Sequence, residues 1–352
     1  MEIYVLDRNI DIVGILGSYE GLIWNTMYNE PGTFKIEFLF DPEVNEWMKR
    51  GNLLYKNDEE EVGVITRRFI KINKYGEESL LVSGYMLSRY LNMRIIWDKM
   101  TLSGKPELVM RDLVYQQCIG CSAERKIPRL QLGSLKGYGG TAISKQITYD
   151  NLQEALTDVS KMSELGYRIL LDLKDKALYF DVYKGRDRTY GTSEACVFNR
   201  EYGNIIEQEY EESEDYYRNV CLIAGSGKDD ARIRTTVGNA SGLDRYELYC
   251  NAAWMSDKEL SQAEYIRQLQ TKGQEKLNGF PITRSFISKA DSESDAGIGD
   301  YVTCVDQRWG IMMDTQIRGI EKCYCRKEIS KVYTFGDSQP TLVQLIKTNI
   351  RE

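Results

Sequence analysis

The densest set of groups that could do chemistry is an acidic run between residues 207 and 215. Its members are carboxylates: Glu207, Glu209, Glu211, Glu212, Glu214 and Asp215. Carboxylate oxygens are the ligands that Ca²⁺ prefers, and a pair of carboxyl groups can cleave a glycosidic bond. Glu207, Glu209 and Glu211 are spaced two apart, which is the side-chain period of a β-strand. We therefore expect these three glutamates to share one exposed strand face, with no catalytic residue, metal or cofactor there.

A second candidate is the glycine-rich segment 225–228, which reads Gly-Ser-Gly-Lys. A Walker A phosphate loop requires a glycine where this chain has Leu222, and Ser or Thr where it has Asp229. The segment 297–299, Gly-Ile-Gly, also lacks the third glycine of a dinucleotide-binding turn. The sequence therefore predicts glycine turns between strands at both places, and no bound nucleotide.

Histidine is absent and cysteine is present eight times. Without imidazole the chain cannot form the usual serine or cysteine triads or an HExxH zinc site. The closely spaced pairs Cys118/Cys121 and Cys323/Cys325 are far apart in the chain, and the second is Cys-x-Cys, so they match a zinc ribbon poorly. We expect neither metal nor disulfides, and synthesis in a reducing cytosol.

Size and charge narrow the class of protein further. The chain has 352 residues, enough for two or three domains, and no apolar stretch of the ~20 residues that span a membrane. Its net charge is -7, with a sequence pI near 5.1. A protein that grips phosphates needs clustered Lys and Arg. The composition therefore predicts that nucleic acid is not bound specifically.

Residues 1–92 contain the elements of a first β-rich domain. The patterns predict a hairpin of residues 3–6 and 10–15, with no leader ahead of it, and a strand over 34–40 in which Phe34, Ile36 and Phe38 face inward. A short helix is predicted from Pro42 to Met48. Further strands are predicted over residues 53–56, 62–72 and 79–88.

Residues 93–195 mix helices with strands, which predicts an α/β domain. One helix is predicted from Pro106 to near Gly120, and a second from a Thr148 cap to Gly166. The segment 120–147 between them is predicted to be a loop. A hairpin of residues 168–173 and 177–183 completes this part.

Residues 196–352 are again rich in strand patterns and predict a second β domain with a helical excursion at about 256–278. Ser256 with Glu259 three residues later predicts the capping box of that helix. Strands are predicted over residues 203–210, 219–224, 245–250, 301–305, 310–320 and 332–335.

Four segments resemble one known family in this order. They are Tyr28-x-Glu30-x-Gly32-x-Phe34, the acidic stretch leading into a strand at 215–225, Ile298-Gly299-Asp300-Tyr301-Val302, and Thr334-Phe335-Gly336. In combination they resemble the N-terminal hub family of bacteriophage tails. This family comprises the tail-associated (Tal) proteins of long-tailed phages and is similar to the baseplate hubs of contractile tails.

The resemblance implies an α+β, mainly β fold with two tail-tube-like β-barrel domains and an α/β domain between them. It further implies a homotrimeric, non-enzymatic hub at the virion tail tip, which adapts a sixfold tail to a threefold tip, closes the tube and opens for DNA. Its partners would be the distal tail protein ring and the tape-measure protein. In such a hub Glu207, Glu209 and Glu211 could line the channel, where negative charge lets DNA pass without adsorbing.

Two other functions stay open at this point. One is a cell-wall glycosidase that uses two carboxylates of the acidic run, and the other is a carbohydrate-binding baseplate component, since the chain has 24 Tyr and 5 Trp. Tyr is equally favoured in strands and protein interfaces. Because the chain ends at Glu352, soon after the last predicted strand, we expect fibre, receptor-binding or hydrolase modules on other polypeptides.

Overall fold

The computed structural model describes residues 2–228, 231–255, 261–290, 294–325 and 328–336. It is mainly β, with 20% helix and 43% strand, so the predicted mainly β class is confirmed. The chain divides into two compact units. The first comprises residues 1–208 and 287–335, and the second is built around residues 209–286.

Fourteen of the described strands lie before residue 200. They are β1 (Ile3–Leu6), β2 (Ile12–Leu16), β3 (Gly21–Met27), β4 (Thr33–Leu39), β5 (Leu53–Lys56), β6 (Gly63–Ile72), β7 (Glu78–Met86), β8 (Met100–Gly104), β9 (Leu130–Leu132), β10 (Ile143–Ile147), β11 (Gly166–Asp172), β12 (Ala177–Tyr183), β13 (Asp187–Arg188) and β14 (Val197–Asn199).

The later strands are β15 (Ile205–Ser213), β16 (Val220–Ala224), β17 (Arg234–Val237), β18 (Glu247–Asn251), β19 (Thr283–Ala290), β20 (Tyr301–Asp306), β21 (Ile311–Cys325) and β22 (Glu328–Gly336). The α-helices are α1 (Pro42–Trp47), α2 (Pro106–Val114), α3 (Leu152–Ser163) and α4 (Gln262–Leu277).

The main sheet of the first unit has the strand order β22-β21-β3-β4-β7-β6-β5-β1-β2, with β20 joining β21 to β13 and β14. The inner face of this sheet follows from the alternation of side chains along each strand. The side chains buried there include Phe34, Ile36 and Phe38 on β4, Trp24 on β3 and Val82 on β7. Because β3 pairs antiparallel with β21, strands from the two ends of the chain share one sheet. No closed barrel is detected among the described strands.

The α/β part of the first unit shares a core with the main sheet, because Leu6, Leu53 and Val64 are buried in the same cluster as its helices. Strands β11, β12 and β9 form one small sheet, and β8 pairs with β10. Helices α2 and α3 bury their apolar stripes here, as the buried Val109, Leu113, Leu156 and Val159 show.

Three strands and one helix make the centre of the second unit. Strand β16 lies between β17 and β18, and α4 packs against these strands. Their shared core contains Cys221, Ile223, Cys250, Tyr265 and Leu269, all of them buried.

Local signals placed several elements correctly. The helix α1 begins where expected, because the Asp41 carboxylate accepts hydrogen bonds from the backbone N–H groups of Glu43 and Val44 at 2.8 and 3.0 Å. The predicted Thr148 cap is wrong: α3 begins three residues later, with Asn151 accepting from the Gln153 N–H at 3.0 Å. The predicted loop over 120–147 also contains the short strands β9 and β10.

Helix α4 begins at a Ser-x-x-Glu capping box, which is the predicted kind of signal but lies further along the chain than predicted. Ser261 and Glu264 form the capping box of α4, and both reciprocal hydrogen bonds are present. The predicted cap, Ser256 with Glu259, lies outside the described residues. None of the helices described is both long enough and apolar enough to cross a membrane.

Candidate functional surfaces

The three glutamates predicted to share a strand face lie on β15. Glu207, Glu209 and Glu211 are exposed, whereas Ile205 at the head of the same face is buried. On the opposite face Gln208 is half-buried and donates from its side-chain amide to the Asp306 carboxylate. The structure therefore places these carboxylates as a row that faces solvent in the isolated chain.

This environment does not suit acid–base cleavage of a sugar. Carboxyl groups two residues apart on a strand are separated by about 7 Å, a distance compatible with a glycosidase pair. A general acid, however, needs an apolar pocket that keeps it protonated. Glu207 and Glu209 are exposed instead, so their surroundings supply no such pocket.

The glycine segment 225–228 connects two antiparallel strands, β16 and β17, as predicted. The Gly225 N–H donates to the Ile233 carbonyl at 2.8 Å, and the Ser226 N–H donates to the Tyr265 hydroxyl at 2.7 Å. These amides are already engaged within the protein. A phosphate loop would instead lead into a helix and leave its amides pointing at the ligand.

The cysteines are not arranged as metal ligands in the part of the chain that the structure describes. No group of three or more Cys, Asp or Glu side chains there could hold a metal ion, and all eight cysteines are free thiols. Burial raises the pKa of Cys118 to about 12. Its thiol therefore acts as a small apolar side chain in the core.

The first of the resembling motifs builds a buried junction around Tyr28. This side chain is fully buried, and its hydroxyl donates to the Glu164 carbonyl at 2.9 Å. Its backbone N–H donates to the Arg318 carbonyl at 2.9 Å, and its ring meets Tyr183 edge-on at 5.1 Å. A side chain at Gly166 would collide with the ring. Three segments that are distant in the chain thus contact this one tyrosine.

The Gly-Asp motif forms a second buried junction. Asp300 is 3% exposed and accepts hydrogen bonds from the N–H groups of Arg186 at 2.8 Å and Gly297 at 2.9 Å. Gly299 has a φ of +86°, and a Cβ there would meet the Tyr28 ring. Only glycine suits both conditions. The motif therefore fixes how β20 enters the sheet, and its residues do no visible chemistry.

An open cleft of about 790 Å³ lies over the outer face of β11 and β12. Three of its charged groups are paired: Arg168 contacts Asp181 at 3.3 Å and Lys136 contacts the same carboxylate at 3.6 Å. Arg168 also contacts Glu60. Two more charged residues, Asp172 and Lys174, line the same cleft.

A smaller cleft of about 390 Å³ is lined by Arg50, Thr66, Arg67 and Arg68. This basic concavity was not predicted from the sequence. The signal was present as Arg67-Arg68 within a strand otherwise rich in apolar residues. Strand β6 pairs with β5 only at Gly63 and Val64, so beyond the bulge at residues 65–67 it has β7 on one side and an unpaired edge on the other among the described strands.

The comparisons with known proteins fit this picture of turn and strand motifs. The family model described as Siphovirus ReqiPepy6 Gp37-like protein matches residues 2–337. The chain belongs to this family. It is a family of phage tail proteins, so the resemblance found in the sequence is confirmed.

Solved structures share the fold across almost the whole chain. A tail protein from Neisseria meningitidis has a TM-score of 0.58 at 14% identity, with 96% of each chain covered. The 43 kDa tail protein of prophage MuSo2 from Shewanella oneidensis has a TM-score of 0.59 at 13% identity, covering 95% of this chain and 98% of its own.

The prophage tail protein gp18 from Listeria monocytogenes has a TM-score of 0.57 at 10% identity, covering 100% of this chain and 99% of its own. No curated protein sequence matched this chain. The likeness at such low identity is a likeness of fold, and membership of the family makes this a phage tail protein.

Proposed function

We propose that the protein is the structural hub at the distal tip of a phage or phage-like tail. Three copies would form a ring that adapts the sixfold tail to a threefold tip, closes the tube and opens for DNA passage. The observation that carries this proposal is the match of the tail-protein family over residues 2–337, together with a shared fold over nearly the full length of three tail proteins.

In this assembly the β-rich segments 1–92 and 196–352 supply the tail-tube-like walls, and residues 93–195 form the α/β insertion. The ring contacts the distal tail protein ring on one side and the end of the tape-measure protein inside. Fibre, receptor-binding or hydrolase subunits are further partners in this proposal. Interfaces of this obligate kind bury more than about 2,000 Å² per pair.

The acidic face of β15 is proposed to line the channel. Glu207, Glu209 and Glu211 are exposed and share one face, and like charge repels the DNA backbone so that DNA slides through. An image of the assembled ring that places these carboxylates on its outer rim would refute this assignment.

Labelling of assembled tails tests the position of the protein. A gold-binding tag on the chain should appear only at the distal tip, with three labels per tail. Labels along the tube or at the head-proximal end would contradict the hub. A parallel assay tests the enzyme alternative: the purified chain should release no sugar from peptidoglycan, and turnover that a Glu207→Gln change abolishes would establish a glycosidase instead.

A further inference from the structure

Two exposed sheet edges of the chain have opposite charge. The edge of β6 over residues 67–72 carries Arg67, Arg68 and Lys71 with the exposed apolar residues Phe69, Ile70 and Ile72. Strand β15 ends the strand order and pairs only with β19 among the described strands. It carries Glu207, Glu209, Glu211 and Glu212, all exposed.

An unpaired strand edge offers a row of free N–H and C=O groups to another chain. Proteins protect such edges with charges, prolines or coverage, and a long edge with exposed apolar residues is otherwise an association site. The edge of β6 has apolar side chains on both faces, since Phe69 is 46% exposed and Ile72 65% exposed. Folding of a single copy leaves this surface uncovered.

We propose that the basic edge of β6 in one copy of the chain pairs with the acidic edge of β15 in the next copy. This inference rests on the proposed ring and names the contact that closes it. The two edges differ, so the contact is heterologous, and such contacts generate rings when the rotation closes.

The side-chain spacing of the two edges matches. Arg67, Phe69 and Lys71 share one face of β6, because they oppose Ser83, Leu81 and Ser79 of β7 at alternate positions. Glu207 and Glu211 are likewise four residues apart on one face. Whether the strands run parallel or antiparallel, centring Phe69 on Glu209 sets Arg67 and Lys71 opposite the two outer glutamates.

The arginine-lined cleft provides a second reason for an acidic occupant. Arg50, Thr66, Arg67 and Arg68 surround a space of about 390 Å³ beside the edge of β6. The Arg68 side chain donates to the Asn45 carbonyl at 3.0 Å, which holds it in place, while Arg50 and Arg67 are exposed. Exposed guanidinium groups of this kind are suited to a carboxylate.

A third free edge does not compete for this role. Strand β2 ends the main sheet and exposes Ile12, Val13 and Ile15, but it carries no charge. Charge is what distinguishes one strand edge from another. The contact also remains compatible with an acidic channel, because the three glutamates on the β15 face outnumber the two cations on the facing β6 residues.

Charge exchange between the edges tests the proposal. Three variants are compared with the native chain: R67E/K71E, E207K/E211K, and all four changes together. The control is K126E/K161E, which reverses two exposed lysines away from both edges. Native mass is measured by light scattering over a range of concentrations, with circular dichroism and thermal melting as checks that each variant is folded.

Each two-site variant should weaken trimer formation by ~100-fold or more, because like charges then face each other across the contact. The four-site variant should assemble within ~10-fold of the native chain, and the control should match it. Native trimers that persist in both two-site variants would overturn the edge contact and leave the hub standing. A four-site variant that fails to recover would overturn it as well.

Two further outcomes are informative. If the native chain is never trimeric, the ring itself is wrong and the edge contact falls with it. If R67E/K71E stays trimeric but loses affinity for a fluorescent oligonucleotide, the arginine cleft holds phosphate, and the contact between copies is refuted.

Discussion

The buried junctions and the free strand edges of this protein contrast in almost every property. Tyr28 and Asp300 are enclosed, each joined by short hydrogen bonds to segments that are distant in sequence. The edges of β6 and β15 are exposed, and charge is their main feature. Two of the four motifs that resemble the tail family, those containing Tyr28 and Asp300, fall on the junctions. A motif can therefore identify the fold while the proposed function resides in surfaces that have no motif.

This contrast predicts that substitutions at the junctions destabilise folding, whereas substitutions at the edges change assembly only. The largest effect is expected at Tyr28. Removal of a fully buried aromatic side chain costs about 4 kcal/mol of unfolding free energy, and Tyr28→Ala also loses the hydrogen bond to Glu164. Chemical denaturation measures it. Tyr75→Ala, at a side chain 77% exposed, is the matched control, and an equal loss there would contradict the account.

Asp300→Ala should have the next largest effect, a loss of about 3 kcal/mol, because two backbone donors lose the buried carboxylate that accepts from them. These donors are the N–H groups of Arg186 and Gly297. Asp300→Asn keeps one side-chain acceptor and should lose less. A melting temperature unchanged in both variants would show that the Gly-Asp motif has no structural role.

Glu61 gives a smaller effect that depends on pH. Burial raises its pKa to about 8, and the charged groups facing it are Arg168, Glu59 and Glu60. The native state therefore holds a proton that the unfolded state releases above about pH 4.5. The stability from this group is complete below that pH and is lost as the pH rises to about 8.

Glu61→Gln should remove this dependence. The variant should be more stable than the native chain at pH 6, by about 2 kcal/mol, and the difference should shrink towards pH 5. Unfolding by urea at several pH values measures it. A difference that grows towards acidic pH would reverse the sign and refute the assignment.

The smallest effect on folding is expected at the edges. R67E/K71E should change the unfolding free energy by no more than about 0.5 kcal/mol, because both side chains are exposed and the Lys71–Glu37 ion pair is a surface pair at 3.7 Å. A large loss of unfolding free energy in the monomeric variant would contradict the prediction that edge substitutions change assembly and not folding. Unfolding below the assembly concentration isolates this effect.

Local signals in the sequence predicted much of the fold. The Asp41 cap gave α1, and the alternation of Phe34, Ile36 and Phe38 gave β4. The prediction was wrong where two signals lay close together: Asn151 caps α3 three residues after the Thr148 that was expected to do so.

Long-range pairing could not be predicted from local patterns. The pairing of β21 with β3 joins residues about 300 positions apart in the chain, and neither strand's sequence identifies the other as its partner. For the same reason the free edges stayed hidden, because an edge is defined by the strand that is absent beside it. The spacing of Glu207, Glu209 and Glu211 predicted that they share a strand face. No local pattern predicted that the basic residues Arg67 and Lys71 lie on a free strand edge of opposite charge.

The most direct test of the central claim is the native mass of the purified chain across concentrations from nanomolar to tens of micromolar. The account predicts a trimer that dissociates as salt is raised, because paired charges hold its edges together. A chain that stays monomeric at every concentration and at low salt would contradict both the ring and the edge contact that closes it.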